Sequence, residues 1–124
     1  MVLVDTSVWV AHLREGHADL IGLLNDNYVA CHPFIIGELA CGSLKNRKEI
    51  LSLLNALPAT KVAEHDEVMQ FIDDHKLMNR GLGYVDVHLL ASAMLSGVSI
   101  WTFDKKLDQV CSELGTDFMN EERR

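Results

Sequence analysis

Four acidic residues stand where acids are uncommon. Asp5 ends the apolar run Val2-Leu3-Val4, and Asp104 ends a second apolar run, Val98 to Phe103. Glu38 lies inside the apolar stretch FIIGELA, and Asp86 opens the apolar stretch running from Val85 to Leu95. A carboxylate in such company is costly unless something meets its charge. Two carboxylates about 4 Å apart repel by roughly 4 kcal/mol at an effective dielectric of 20, so acids gathered at one place call for a cation. A ligand set made only of hard oxygens suits Mg²⁺ or Mn²⁺ better than zinc or copper. With no Ser/His/Asp constellation and no setting for a cysteine nucleophile, metal-assisted phosphoryl chemistry is the reaction class indicated. Each acid also has an ordinary alternative taken singly: Glu38 on a solvent stripe, Asp86 as a helix N-terminal residue favoured by the dipole.

The surrounding elements decide whether the four can meet. Val2 to Val4 reads as a central parallel strand covered on both faces. Asp5 then stands at its carboxyl end, the edge at which open α/β sheets bind ligands. Thr6 or Ser7 is the expected cap of the helix that follows through Val8, Trp9, Val10 and Leu13. A short helix around Leu20 to Leu24 leads to a second strand, Tyr28 to Cys31. Pro33 opens a helix over Phe34 to Cys41 that stops at Gly42. Ile50, Leu53, Leu54 and Leu57 recur at helical spacing up to Pro58. A third strand is expected at Thr60 to Ala63, then a long helix carrying Val68, Phe71, Ile72 and His75, the last read as a core histidine. Gly81 and Gly83 permit a close approach before the buried helix Val85 to Leu95. Val98 to Phe103 is the fourth strand, Leu107 to Leu114 the last helix, and Asp117 to Met119 a candidate edge strand. Strands alternating with helices imply a mainly parallel sheet of four to five strands between helical layers. Asp5 and Asp104 then share one sheet edge, with Asp86 at the start of the helix leading into the Asp104 strand.

At 124 residues and 48% apolar content, residues 1–124 are expected to form a single domain. Eleven Lys and Arg against 18 Asp and Glu give a net charge of −7, so no overall basicity advertises a polyanion, although bound divalent ions would offset part of the balance. The three cysteines form no CxxC pair, and Cys31, His32 and Cys41 match no familiar zinc spacing. The cysteines, together with an opening that lacks a basic region followed by an apolar stretch, point to a reduced, cytoplasmic protein. No apolar run approaches the roughly 18 residues of a membrane helix. Trp9 and Trp101 lie in apolar runs and are expected in the core.

The segments VLVDTSVW, IIGELACG, NRGLGYVDVHLLASAML and SIWTFDKKL, in this order and spacing, resemble the PIN-domain ribonucleases, specifically the small VapC-type toxins of bacterial toxin–antitoxin pairs. The resemblance implies a PIN-like three-layer α/β/α fold and cleavage of single-stranded or looped RNA by metal-activated water. It implies Asp5, Glu38, Asp86 and Asp104 as the catalytic, metal-holding acids, with Mg²⁺ as cofactor and Mn²⁺ as substitute, and with Ser7 and Thr102 as the hydroxyls around them. Its partners would be RNA, a cognate antitoxin lying across the active-site groove, and a second copy in a homodimer. Lys45, Arg47, Lys48, Arg80, Lys105 and Lys106 are the candidate phosphate contacts, and Asp108 is taken as a surface residue. Three rivals share parts of the pattern. A response-regulator receiver needs an acidic pair after the first strand, where Thr6 follows Asp5; a haloacid-dehalogenase phosphatase needs DxD, where Ser7 stands; an inert interaction module would keep the fold without activity.

Overall fold

The computed structural model describes residues 1–118. Three parallel strands form the sheet in the order β2-β1-β3: β1 is Val2–Val4, β2 is Val29–Ala30 and β3 is Ser99–Trp101. Val2 stands opposite Val29 on one side and Ser99 on the other, and Leu3 opposite Ala30 and Ile100. All three residues of β1 are fully buried. A three-residue apolar run with no polar face has nowhere stable to lie except the middle of a covered parallel sheet.

Seven helices surround the sheet among the described residues: α1 (Thr6–Glu15), α2 (Ala18–Asn25), α3 (Pro33–Ala40), α4 (Arg47–Ala56), α5 (His65–His75), α6 (Tyr84–Ser96) and α7 (Lys105–Glu113). Each gives at least one residue to one continuous core: Val8, Leu20, Ile35, Leu54, Val68, Leu90 and Leu107 in turn. Helix α6 is buried without interruption from Val87 to Ala93, as its apolar circumference requires. It ends at Gly97, whose positive φ of 65° turns the chain sharply into β3.

The regular strands are fewer than the four to five expected. In place of a strand at Thr60 to Ala63, the pairing beyond β2 is one parallel bridge, Cys31 with Ala59. Past it the sheet loses its partners to α6: Ser96 Oγ takes the Lys61 amide at 2.8 Å and Ser92 Oγ takes the Ala63 amide at 3.0 Å. Side-chain acceptors outcompete the ladder there. At the opposite edge Asp117 makes a single bridge to Ile100, and Met119 of the expected edge strand lies outside the described residues. The sheet therefore has three regular strands with one bridge added on each side. His75 is exposed at the end of α5, its ring 4.4 Å from Phe71, rather than packed in the core. Its position on the apolar stripe is real, but the stripe runs out at the helix terminus.

Candidate active site

Asp5 continues the sheet by donating its amide to the Trp101 carbonyl (2.9 Å), and its side chain is only 8% exposed. The expected helix cap is absent. Asp5 itself is the N-cap residue of α1 and makes no side-chain bond to the helix amides, while Thr6 and Ser7 turn to other partners. Ser7 Oγ and Thr102 Oγ1 both donate to Asp5 Oδ2, each at 2.8 Å. The direction is forced, because a carboxylate oxygen only accepts; each hydroxyl in turn accepts from an amide, Phe103 N–H to Ser7 Oγ and Asp104 N–H to Thr102 Oγ1, both at 3.0 Å. Backbone amides beyond β3 thus feed two hydroxyls, and these fix one oxygen of a buried carboxylate. Hydrogen bonds to an ionised acceptor are the strong kind.

Asp104 caps α7, its Oδ1 accepting from the amides of Lys106 (2.9 Å) and Leu107 (3.2 Å). Asp86 lies in the first turn of α6, where its Oδ2 accepts the Gly83 amide at 3.0 Å. Burial pushes the Asp86 carboxyl above its ordinary range; the Gly83 hydrogen bond opposes this, and the charges of Asp5 and Asp104 add to it. Asp86 is therefore a helix-terminal residue that also feels the charges of Asp5 and Asp104. Asp5 and Asp104 are thus near enough to Asp86 for their charges to act on it. Glu38 is exposed on α3 and reaches the group through Thr6, whose hydroxyl donates to Oε1 at 2.7 Å beside Asp5.

Among the described residues, none of these four acids is ion-paired with a Lys, Arg or His, and no three ligand-type side chains already converge as a ready-made cage. The donor chemistry nevertheless fits a hard divalent cation. In each of the three aspartates one oxygen is tied to the protein and the other accepts no hydrogen bond from the described residues. Their mutual repulsion is what a cation would relieve.

The other candidates fall elsewhere. Cys31 and His32 are buried while Cys41 is exposed. His32 is not placed as a ligand: it caps α3, its Nδ1 accepting from the Phe34 amide at 3.0 Å and its Nε2 meeting Ser92 Oγ at 3.1 Å. Burial, with His88 beside it, lowers its pKa to about 4. Arg80 is committed to a two-pronged pair with Glu113, so it is not a spare cation for phosphate. Lys106 lies along the loop before α6; a Cβ on Gly81 (φ 78°) would come within 2.8 Å of its Cδ. Trp9 is core, whereas Trp101 is half-buried against Phe118. Asp108 is exposed, as expected. The link from Thr6 to Glu38 was not foreseen; the only signal was a second hydroxyl beside Ser7 in the run DTS.

The sequence profile described as "PIN domain" matches residues 2–113. The chain belongs to the PIN-domain family. This PIN domain is 47% identical over 122 residues to Ribonuclease VapC32 of Mycobacterium tuberculosis, both in strain CDC 1551 / Oshkosh and in strain ATCC 25618 / H37Rv, with 98% of each chain covered. Its fold is similar to that in the crystal structure of PAE2754 from Pyrobaculum aerophilum, with a TM-score of 0.62 at 21% identity, covering 87% of this chain and 82% of that one. At that identity the likeness speaks for the PIN fold alone.

Proposed function

We propose that this protein is a divalent-metal-dependent endoribonuclease, the toxin of a bacterial toxin–antitoxin pair, working as one domain with Asp5, Asp86 and Asp104 holding Mg²⁺ and Glu38 completing the site. The observation that carries the reading is the buried Asp5 carboxylate, held by Ser7 and Thr102 and ion-paired with no Lys, Arg or His among the described residues, in a chain 47% identical to a protein named a ribonuclease. A divalent cation there supplies Lewis acidity, activating water as the nucleophile and offsetting charge on the phosphoryl oxygens.

The protein's own share is positioning. Ser7 and Thr102 hold Asp5 so that its second oxygen is presented at a fixed angle, and the α7 amides do the same for Asp104. The buried α6 carries Asp86 on an element that cannot move without disturbing the core. Glu38 stands at the outer lip, steadied by Thr6. Lys105 and Lys106, next in the chain after Asp104, are the nearest candidates for a phosphate, and their local charge matters more than the net −7.

An antitoxin segment has a place to lie. A groove of about 660 Å³ lined by Val10, Leu13, Leu39, Leu44 and Ile50 runs up to Glu38. Ile21 is exposed on α2, whereas Leu20 is core, so the apolar surface around Leu20 to Leu24 is only partly open. An Arg from the partner reaching the acids would replace the missing cation. Exposed Met94 and Leu95 on α6 and Met69 on α5 offer apolar surface for a homodimer, which sedimentation would test. No described helix is long and apolar enough to cross a membrane. A cytoplasmic location agrees with the unpaired cysteines.

The test is cleavage of a labelled single-stranded RNA by the purified protein in Mg²⁺ or Mn²⁺. Loss of cutting in EDTA is expected; cutting undiminished in EDTA refutes the metal dependence.

A further inference from the structure

Phe103 is an aromatic residue that the site does not yet use. It stands between Thr102, whose hydroxyl turns in to Asp5, and Asp104, whose charge reaches Asp86. Its own side chain points out and is 48% exposed, although it is large and apolar. Its backbone is not loose, since its amide donates to Ser7 Oγ within the hydroxyl relay. The ring is steadied from behind: Trp101 meets it edge-on with centroids 5.9 Å apart, and His17 lies tilted at 5.8 Å. The result is a braced, half-exposed aromatic ring on the residue between Thr102 and Asp104, next in the chain to a proposed metal-holding acid.

Tyr84, exposed near Asp86, is the other candidate, but its hydroxyl is held 2.8 Å from His65 Nδ1 and its ring packs on His65 and His88. It is committed to the α5 side. Arg80 is already paired with Glu113, which leaves Lys105 and Lys106 as the cations next to Asp104 in the chain. Two lysines hold a phosphate but not a base, and stacking on an aromatic ring is the sequence-tolerant way to hold one, because every base has a π face.

We infer that Phe103 is a stacking platform for a nucleobase of single-stranded RNA, holding the nucleotide next to the phosphodiester that the acids address. The inference rests on the ribonuclease reading and names a residue that sets substrate position within it. Double-stranded RNA would be a poor ligand, since its bases are already stacked on one another.

The experiment uses the whole protein with a single-stranded RNA oligonucleotide carrying 2-aminopurine, whose fluorescence falls on stacking. Binding is followed in EDTA, and cleavage is followed in Mg²⁺. Phe103→Trp keeps a ring; Phe103→Leu keeps apolar bulk without one, and both should fold because the side chain is half in solvent. Wild type and Phe103→Trp should quench the probe. Phe103→Leu should not, and its KM should rise about 10-fold, a difference that disappears on an oligonucleotide abasic at the stacked position. Equal quenching and equal KM for wild type and Phe103→Leu, while the wild type still cuts RNA, overturn the platform and leave the nuclease reading standing. A wild type that neither binds nor cuts RNA brings down both.

Discussion

Thr102→Val isolates the hydroxyl relay behind Asp5, because valine has the shape of threonine without the oxygen. Two hydrogen bonds disappear: the 2.8 Å donation to Asp5 Oδ2 and the 3.0 Å acceptance from the Asp104 amide. The first is to a carboxylate only 8% exposed, and Thr102 itself is 6% exposed, so water cannot easily replace it. Hydrogen bonds to charged groups contribute about 1.5–3 kcal/mol. Ser7 still serves the same oxygen, which puts the expected loss near the lower part of that range, about 2 kcal/mol for the metal-free protein. At this chain length that corresponds to a fall of roughly 8 °C in Tm. The cause is tested by repeating the substitution on Asp5→Asn, where the acceptor is neutral and the bond contributes only about 1 kcal/mol. Urea unfolding of the four proteins in EDTA should therefore give a coupling of about 1 kcal/mol between positions 5 and 102. A cost below about 0.5 kcal/mol, or the same cost in both backgrounds, refutes the claim that Thr102 acts by holding the Asp5 charge.

Two further outcomes can be checked by unfolding measurements. The raised pKa of Asp86, caused first by burial, means its carboxyl favours folding when protonated and opposes it as pH rises through the folded value. Asp86→Asn should thus melt above wild type in EDTA at pH 7, with the gap closing toward pH 3 and narrowing again in Mg²⁺; a lower melting temperature at pH 7 would return Asp86 to the role of a helix cap. His32 has its pKa lowered to about 4 by burial, so its contribution is full above the unfolded value of 6.5 and is lost as pH falls. About 2 kcal/mol should be lost between pH 7 and pH 5 in urea titrations. His32→Asn, which can still cap α3, should flatten that slope, and an unchanged slope would clear His32 of it.

What was legible in the sequence were the features set by local pattern. The unbroken apolar run Val2 to Val4 could only be a covered central strand, and the all-round apolar α6 could only be buried. Asp5 accordingly follows β1 and Asp86 falls in the first turn of α6, because an acid at the end of a buried element is fixed by that element. What was not legible depended on side chains competing for backbone groups. The segment after Pro58 has strand-like residues, but Ser92 and Ser96, some thirty residues away, take the amides that a strand would need. Thr6 and Ser7 look like helix caps, yet a buried carboxylate and a neighbouring glutamate are better acceptors for their hydroxyls. Arg80 reads as a spare cation until folding brings Glu113 to it. His32 is the clearest case: beside Cys31 it matches no metal-site spacing and shows no role in the sequence, and its hydrogen bonds to the Phe34 amide and Ser92 make it a buried strut.

The central claim is that Asp5 and Asp104 act together on a metal to cut RNA, and the most direct measurement is the rate of RNA cleavage against Mg²⁺ concentration for wild type, Asp5→Asn and Asp104→Asn. Each substitution preserves shape while removing one ligand charge. A loss of at least about 100-fold in cleavage is expected for each, with a higher Mg²⁺ requirement. Near-wild-type cleavage with an unchanged Mg²⁺ dependence in either variant would contradict the account.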